Sequence, residues 1–246
     1  MKEQCPKCKE RGNDTSKDNL QRYEDGHAHC YACGYHIFAN SIEGLMTQVE
    51  TKLEEYKPVI LPKDAVPEID FRALTWLAQF DISMEEITRY RMLWSKAFQL
   101  LVFPIYSSNL EHELLAWQGR NFSGFGAKYW SEGQLHNIIV PLSSTYPAAT
   151  RKTDYIVLVE DYISAIKVSR NHTAVCLFGS HTTSLWLKRF HLLTDTLYFW
   201  LDNDKAKEAM KLAKIASMLN FKVKLIITKN DPKVYSDAEI NEAIQG

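Results

Sequence analysis

The chain lacks any apolar run of the roughly 18–20 residues that a membrane span requires. Behind the charges of Met1-Lys-Glu-Gln-Cys5 there is no apolar stretch, so no secretory leader is expected. Internal repeats and low-complexity tracts are missing. Ten glycines and eight prolines among 246 residues are too few for a collagen-like or disordered chain. An excess of one charge is missing as well. The 29 basic residues stand against 30 acidic ones, a net charge of −1, which gives no global electrostatic argument for a polyanionic partner. Cysteine is scarce: there are five, with none between Cys33 and Cys176. In a chain read as soluble and cytoplasmic, this placement argues for metal or catalysis, not a disulfide framework.

What is present is ordinary globular material, 46% hydrophobic and 24% charged, long enough for one large or several small domains. Charge does segregate locally. Between Lys205 and Lys233, eight lysines stand against only Glu208 and Asp231, an excess that a solvated helix face explains in part.

The first segment reads Cys5-Pro-Lys-Cys8, then 21 residues, then Cys30-Tyr-Ala-Cys33. Two CxxC pairs at this separation are a zinc-ribbon pattern. Each tight turn points two thiolates at one ion, and the intervening chain folds back to complete a tetrahedron. Asp25-Gly26, set between Leu20–Tyr23 and His27–Tyr31, signals a hairpin turn. His27, His29 and His36 are near enough in sequence to replace one cysteine as ligand. So short a segment has little core, and the metal is expected to supply its folding energy.

Residues 39–69 read as a connector, broken by Pro58, Pro62 and Pro67, with a short helix over Ile42–Tyr56. A second unit spans 70–150. Phe71–Gln79 and Ser83–Tyr90 have helical spacing, and Ser83 with Glu86 forms a capping-box start. Ala97–Tyr106, Leu114–Gly119 and Asn137–Leu142 read as strands, giving a small α+β unit with antiparallel pairing. The third unit, 151–246, alternates: strand Tyr155–Glu160, helix Tyr162–Arg170, strand Thr173–Phe178, helix Thr183–Leu193, strand Leu197–Leu201, helix Lys205–Leu219, strand Lys222–Ile227. That order predicts a parallel α/β sheet covered on both faces.

Two strands of this unit end in carboxylates. One runs into Glu160 and Asp161, the other into Asp202-Asn-Asp204. Ligands of open parallel sheets gather at the strands' carboxyl ends. Carboxylates converging there repel unless a hard cation is bound, which suits magnesium or manganese with substrate phosphates. This is the chemistry of nucleotidyl transfer or phosphodiester cleavage. Each signal has a plainer reading too, since an Asp opening a helix also serves as an N-cap.

Glu160, the Asp-x-Asp of Asp202 and Asp204, and the alternating order together resemble the Toprim domain shared by DnaG-type primases, topoisomerases and some nucleases. Asp231-Pro-Lys233 is similar to the additional acidic motif of the primase members. The chain departs from the family pattern at Asp161, usually Gly, and at Ser164, usually Asp. Asp25-Gly-His27 before Cys30-Tyr-Ala-Cys33 resembles the zinc-binding domain of phage primase-helicases, which inspects the template. Phe103-Pro-Ile105, Gln118-Gly-Arg120 and Lys128-Tyr-Trp130 resemble the N-terminal subdomain of the primase polymerase.

The resemblance implies a zinc ribbon, a small α+β subdomain and a Toprim Rossmann-like domain in one DNA primase. It implies zinc at Cys5, Cys8, Cys30 and Cys33, and magnesium or manganese at Glu160, Asp202, Asp204 and Asp231. It makes Lys128 a catalytic candidate. Arg120, Lys128 and Lys233 become candidates for nucleotide or DNA phosphates, and Asp25 and His27 for reading the template. The implied partners are single-stranded DNA, ribonucleoside triphosphates, a DNA polymerase and a separate replicative helicase, since no G-x-x-x-x-G-K-S/T motif occurs. The expected location is the cytoplasm, a host's if the chain is phage-encoded. A Toprim nuclease and a non-catalytic replication accessory protein are the competing readings. Cys176, Trp186, Phe190, Tyr198 and Trp200 read as core, and His181 as a residue at the mouth of the sheet.

Overall fold

A computed structural model describes residues 2–13, 15–23, 27–38, 58–107, 113–144, 152–180 and 182–246. The expected turn residues Asp25 and Gly26, the helix over 42–56, and His181 lie outside the described residues. Two compact units are present, Met1–Pro58 and Val59–Gly246.

The first unit holds β1 (Lys2–Glu3), α1 (Pro6–Glu10), β2 (Leu20–Arg22), β3 (Ala28–Cys30) and β4 (His36–Ile37), with the strands in sequential antiparallel order. Its interior is small: Leu20, Ala28 and Ile37 pack beside Cys5, Cys8 and Cys30. Strand alternation sends the residues between them outward. Gln21 pairs with His29, and His29 with His36, so these side chains share the opposite face.

The second unit begins with β5 (Ala65–Val66), drawn from the segment read as connector. It continues through α2 (Phe71–Ala78), α3 (Met84–Arg89), β6 (Leu93–Ser95), β7 (Leu100–Tyr106), β8 (Leu114–Asn121) and β9 (Tyr129–Gly133). The five strands form one antiparallel sheet in chain order. Ser83 and Glu86 make the expected capping box on α3. Pro104 is tolerated in β7 because it lies past the end of β6, where β7 has only one neighbour. The expected strand over 137–142 is not a strand. Leu135–Asn137 is a 3-10 turn, and only Leu142 bridges, to Ala174. Val140 and Leu142 fill the core without joining a ladder.

A four-stranded sheet follows, built from β10 (Ile156–Val159), α4 (Tyr162–Ser169), β11 (Ala174–Cys176), α5 (Ser184–Lys188), β12 (Thr196–Trp200), α6 (Ala206–Met218), β13 (Lys222–Leu225) and α7 (Asp237–Gln245). All its pairings are parallel, in the order β11-β10-β12-β13. The period of two divides its faces. Val157 and Val159 pack toward α4 and α7, whereas Ile156 and Leu158 pack toward α5 and α6. Every residue of α4 is buried, because α4 is packed between this sheet and the antiparallel one. Phe103 and Tyr90 lie 5.6 Å and 6.2 Å from the Tyr162 ring, and Tyr90 bonds Ser169 at 2.7 Å. Cys176, Trp186, Phe190 and Trp200 are buried as expected, and α7, which the sequence analysis did not identify, closes one face.

Arg170, capping α4, stitches three elements together. It donates to Glu86 at 2.8 and 3.0 Å, to Asp237 at 2.9 Å, and to the carbonyl of Asp81 at 2.6 Å. Burial pushes the Glu86 carboxyl up, but the Arg170 guanidinium, with the Ser83 N–H, outweighs it and holds Glu86 below its ordinary value. Arg170→Met should therefore strand a buried carboxylate and cost about 3–5 kcal/mol in urea unfolding. The depressed acid contributes stability above its unfolded pKa and loses it as pH falls through the folded one. The deficit should therefore shrink in acid, below about pH 4. A deficit unchanged by acid would show that Glu86 carries no charge in the fold.

Candidate functional site

In the first unit the four cysteine sulfurs lie within 4.8 Å of one another, with Cys5–Cys33 and Cys8–Cys30 each at 3.6 Å. A tetrahedron with zinc–sulfur bonds of about 2.3 Å has edges of about 3.8 Å, so the thiols fit a zinc ion. Burial raises Cys5 and Cys8. It pushes Cys30 up too, but N–H groups of Cys33 and Ala32, with the neighbouring thiols, outweigh it and bring Cys30 down to about 7. The histidines are not ligands in this set. They lie on the outer face, in a continuous layer of rings: Tyr23 on His27 at 4.1 Å, His29 beside Tyr31 at 4.9 Å, and His36 beside Phe38 at 4.5 Å. The Tyr23 and Tyr31 hydroxyls bond at 2.8 Å. Tyr31 and Phe38 are 74% and 70% exposed, far more than packing aromatics are. The alternation of positions 27, 29 and 31 and of 36 and 38 was readable as a ring-bearing face.

In the second unit, β10 ends directly before Glu160 and the adjacent strand β12 two residues before Asp202. Glu160 Oε2 and Asp202 Oδ1 are buried and have no partner among the described residues. Buried carboxylate oxygens are costly when unpaired. Burial raises both acids. Lys205 opposes it at Glu160 and Lys233 at Asp202, while neighbouring carboxylates reinforce it, and Asp202 reaches about 7. Asp204 is exposed and pairs with Lys205 at 3.1 Å. The unpartnered oxygens, turned to one sheet edge, fit a hard divalent cation that keeps waters. Among the described residues, the cysteines alone form a cluster of three or more ligating groups within 4.8 Å; Glu160, Asp202, Asp204 and Asp231 do not converge to that extent.

Asp161 accepts from the N–H groups of Ile163 and Ser164 at 3.0 and 3.1 Å and from Ser164 Oγ at 2.7 Å, capping α4. The two departures from the Toprim pattern are thus bonded to each other. Lys233 turns inward and donates to Asp161 at 2.9 Å and Asp231 at 2.6 Å. Burial works against its charge, yet those two carboxylates hold Lys233 above the usual lysine value.

From the antiparallel sheet, Arg120 on β8 lies opposite Tyr129 on β9. Its guanidinium is held between the Trp76 and Tyr129 rings, 5.2 Å from each, and its Nε is buried without a hydrogen-bond partner among the described residues. Lys128 lies 5.6 Å from the Tyr129 ring. The glycine-bearing loop before it is tied by Asn121 Nδ2 to the carbonyls of Phe125 and Ala127. Burial raises the Tyr129 hydroxyl. Arg120 and Lys233 lower it and Asp161 raises it, so the charges of Asp161 and Lys233 are felt at this sheet.

No family model matches the chain, and no curated protein does. Solved structures do. The DnaG primase catalytic domain bound to ssDNA is 15% identical with a TM-score of 0.58, over 71% of this chain and 71% of that one. The primase fragment of the bacteriophage T7 primase-helicase protein is 13% identical with a TM-score of 0.50, over 100% of this chain and 97% of that one. The Aquifex aeolicus primase, with its zinc-binding and RNA polymerase domains, is also 13% identical with a TM-score of 0.50, over 93% and 75%. The fold is therefore that of primase zinc-binding and catalytic domains, a mixed α/β chain with an N-terminal four-cysteine cluster.

Two measurements probe these sites. Cys30→Ser should lose zinc in elemental analysis and unfold the first unit, whose core is too small to stand alone, while the second unit's melting transition persists. Asp202 binds its proton more tightly folded than unfolded. Wild-type stability should therefore fall relative to Asp202→Asn as pH rises from about 4 to 7, then level off. A difference that stays constant from pH 4 to 8 would mean the acid is unshifted.

Proposed function

We propose that the chain is a DNA primase that makes short RNA primers on single-stranded DNA by metal-dependent nucleotidyl transfer. The observation that carries this reading is the pair of buried, unpartnered oxygens on Glu160 and Asp202 at adjacent strand ends, in a chain with the primase fold. Glu160, Asp202 and Asp204 are the residues to hold magnesium or manganese. Such an ion supplies charge stabilisation at a reacting phosphate and lowers the pKa of an attacking hydroxyl. Arg120, fixed between two rings, keeps N–H donors for a nucleotide phosphate, and exposed Lys128 adds a point charge. The near-neutral chain offers little long-range attraction, so positioning by such fixed donors matters more than steering.

The first unit would bind zinc and meet the template, with His27 and Asp25 as readers of base edges. Its outer layer of rings suits single strands, because every base has a face to stack. A replicative helicase and a DNA polymerase are the partners this reading implies. No described helix is long and apolar enough to cross a membrane.

The decisive assay supplies single-stranded DNA, labelled ribonucleotides and magnesium or manganese. Wild type should yield short oligoribonucleotides, and Asp202→Asn and Asp204→Asn almost none, with template binding retained. Cleaved DNA would make the chain a nuclease instead. Tyr31→Ala and Phe38→Ala should each weaken template binding by about 1–3 kcal/mol if bases stack there. Unchanged affinity in both would move the template contact elsewhere.

A further inference from the structure

The strand-end carboxylates fall into two groups that differ in how they are satisfied. On one side, both oxygens of Asp161 are used. Oδ1 takes two backbone N–H bonds, and Oδ2 takes Ser164 Oγ and Lys233 Nζ. Asp231 Oδ2 holds the same ammonium at 2.6 Å. The three charged side chains are only 20–29% exposed, so solvent screens the pairing weakly. On the other side, Glu160 and Asp202 each keep a buried oxygen that no donor among the described residues reaches. A lysine ammonium is a compact point charge. Seated between two carboxylates, it occupies the place a hard cation would take, and it carries its own positive charge into that place.

We propose that Lys233 is a built-in counter-ion that closes Asp161 and Asp231 to divalent cations, so that the sheet edge takes one divalent ion, at Glu160 and Asp202, and not two. The inference rests on the reading of Glu160 and Asp202 as cation ligands. It assigns Asp231 and Lys233, residues first read as a metal ligand and a phosphate contact, to one internal ion pair. Ser164 belongs to the same device. Its hydroxyl and backbone N–H fix the Asp161 carboxylate so that Oδ2 faces Lys233, and replacing it would loosen the pairing without removing a charge.

The test counts manganese bound to the zinc-loaded, full-length protein by electron paramagnetic resonance. Wild type and Lys233→Arg should bind one ion, Lys233→Met two, and Asp202→Asn one fewer than wild type. Asp231→Asn in the wild-type background should leave manganese affinity within about twofold, a readout that does not depend on Lys233→Met folding. A wild-type count of two that Asp202→Asn reduces overturns the inference and leaves Glu160 and Asp202 as cation ligands. A tenfold loss of affinity in Asp231→Asn overturns it in the same way, as does a folded Lys233→Met that still binds one. Binding indifferent to Asp202→Asn overturns the inference together with the reading beneath it.

Discussion

The constraint on which the second unit depends is the repulsion among Glu160, Asp161, Asp202, Asp204 and Asp231 at one edge of a parallel sheet. Parallel topology creates this constraint. Strands that all run the same way deliver their following residues to the same edge, and the register of β10 with β12 puts Glu160 and Asp202 near one another. The protein relieves the crowding by three different means. Asp161 is absorbed as a helix cap, Asp231 is tied to Lys233, and Asp204 turns outward to Lys205. Glu160 and Asp202 each keep a buried oxygen with no hydrogen-bond partner among the described residues, and burial, reinforced by neighbouring carboxylates and only partly offset by Lys205 and Lys233, shifts both toward their protonated forms. The same repulsion that opposes folding at this edge is what a bound cation would relieve under the proposed function.

The helix α4 links the core to this edge. A helix buried on every side cannot be covered by one sheet, so the antiparallel sheet must lie across it. That packing brings the Arg120 and Tyr129 edge beside the carboxylates. Core and site are therefore coupled. Phe103 and Tyr90 pack on Tyr162 at the start of α4, one residue from Asp161, and Arg170 at its far end binds Glu86 of α3. Displacing the antiparallel sheet would uncover α4 and withdraw the basic residues at the same time.

Much of this was legible in the sequence because the relevant signals are local. The CxxC spacing, the apolar runs ending in Glu160 and Asp202, and the Ser83–Glu86 box each fit within a few residues. The alternation in the last unit gave the parallel sheet. Other features escaped for physical reasons. Residues 137–142 are apolar enough for a strand, but that apolarity fills the core and makes no ladder. Tyr129–Gly133 is a largely exposed edge strand, with no alternation of burial to betray it. The helix Asp237–Gln245 carried a readable signal, the Ser236–Glu239 capping box. The bond between Asp161 and Lys233 spans 72 residues, and no local pattern announces it.

The two units solve the problem of small size in opposite ways. The second buries enough apolar surface to position charged groups precariously close together and still fold. Among the described residues, the first has Leu20, Ala28, Ile37 and the half-buried Tyr35 beside its cysteines, so much of its organising chemistry is in the thiols. With sulfur on the inside, the outer face of the short strands carries no packing duty. Its rings at positions 23, 27, 29, 31, 36 and 38 contact one another. A hydrophobic core of ordinary size would have drawn several of these rings inward, because aromatic side chains are the largest apolar surfaces the unit possesses. A four-thiol centre that suffices without them is thus what leaves an aromatic face open to solvent.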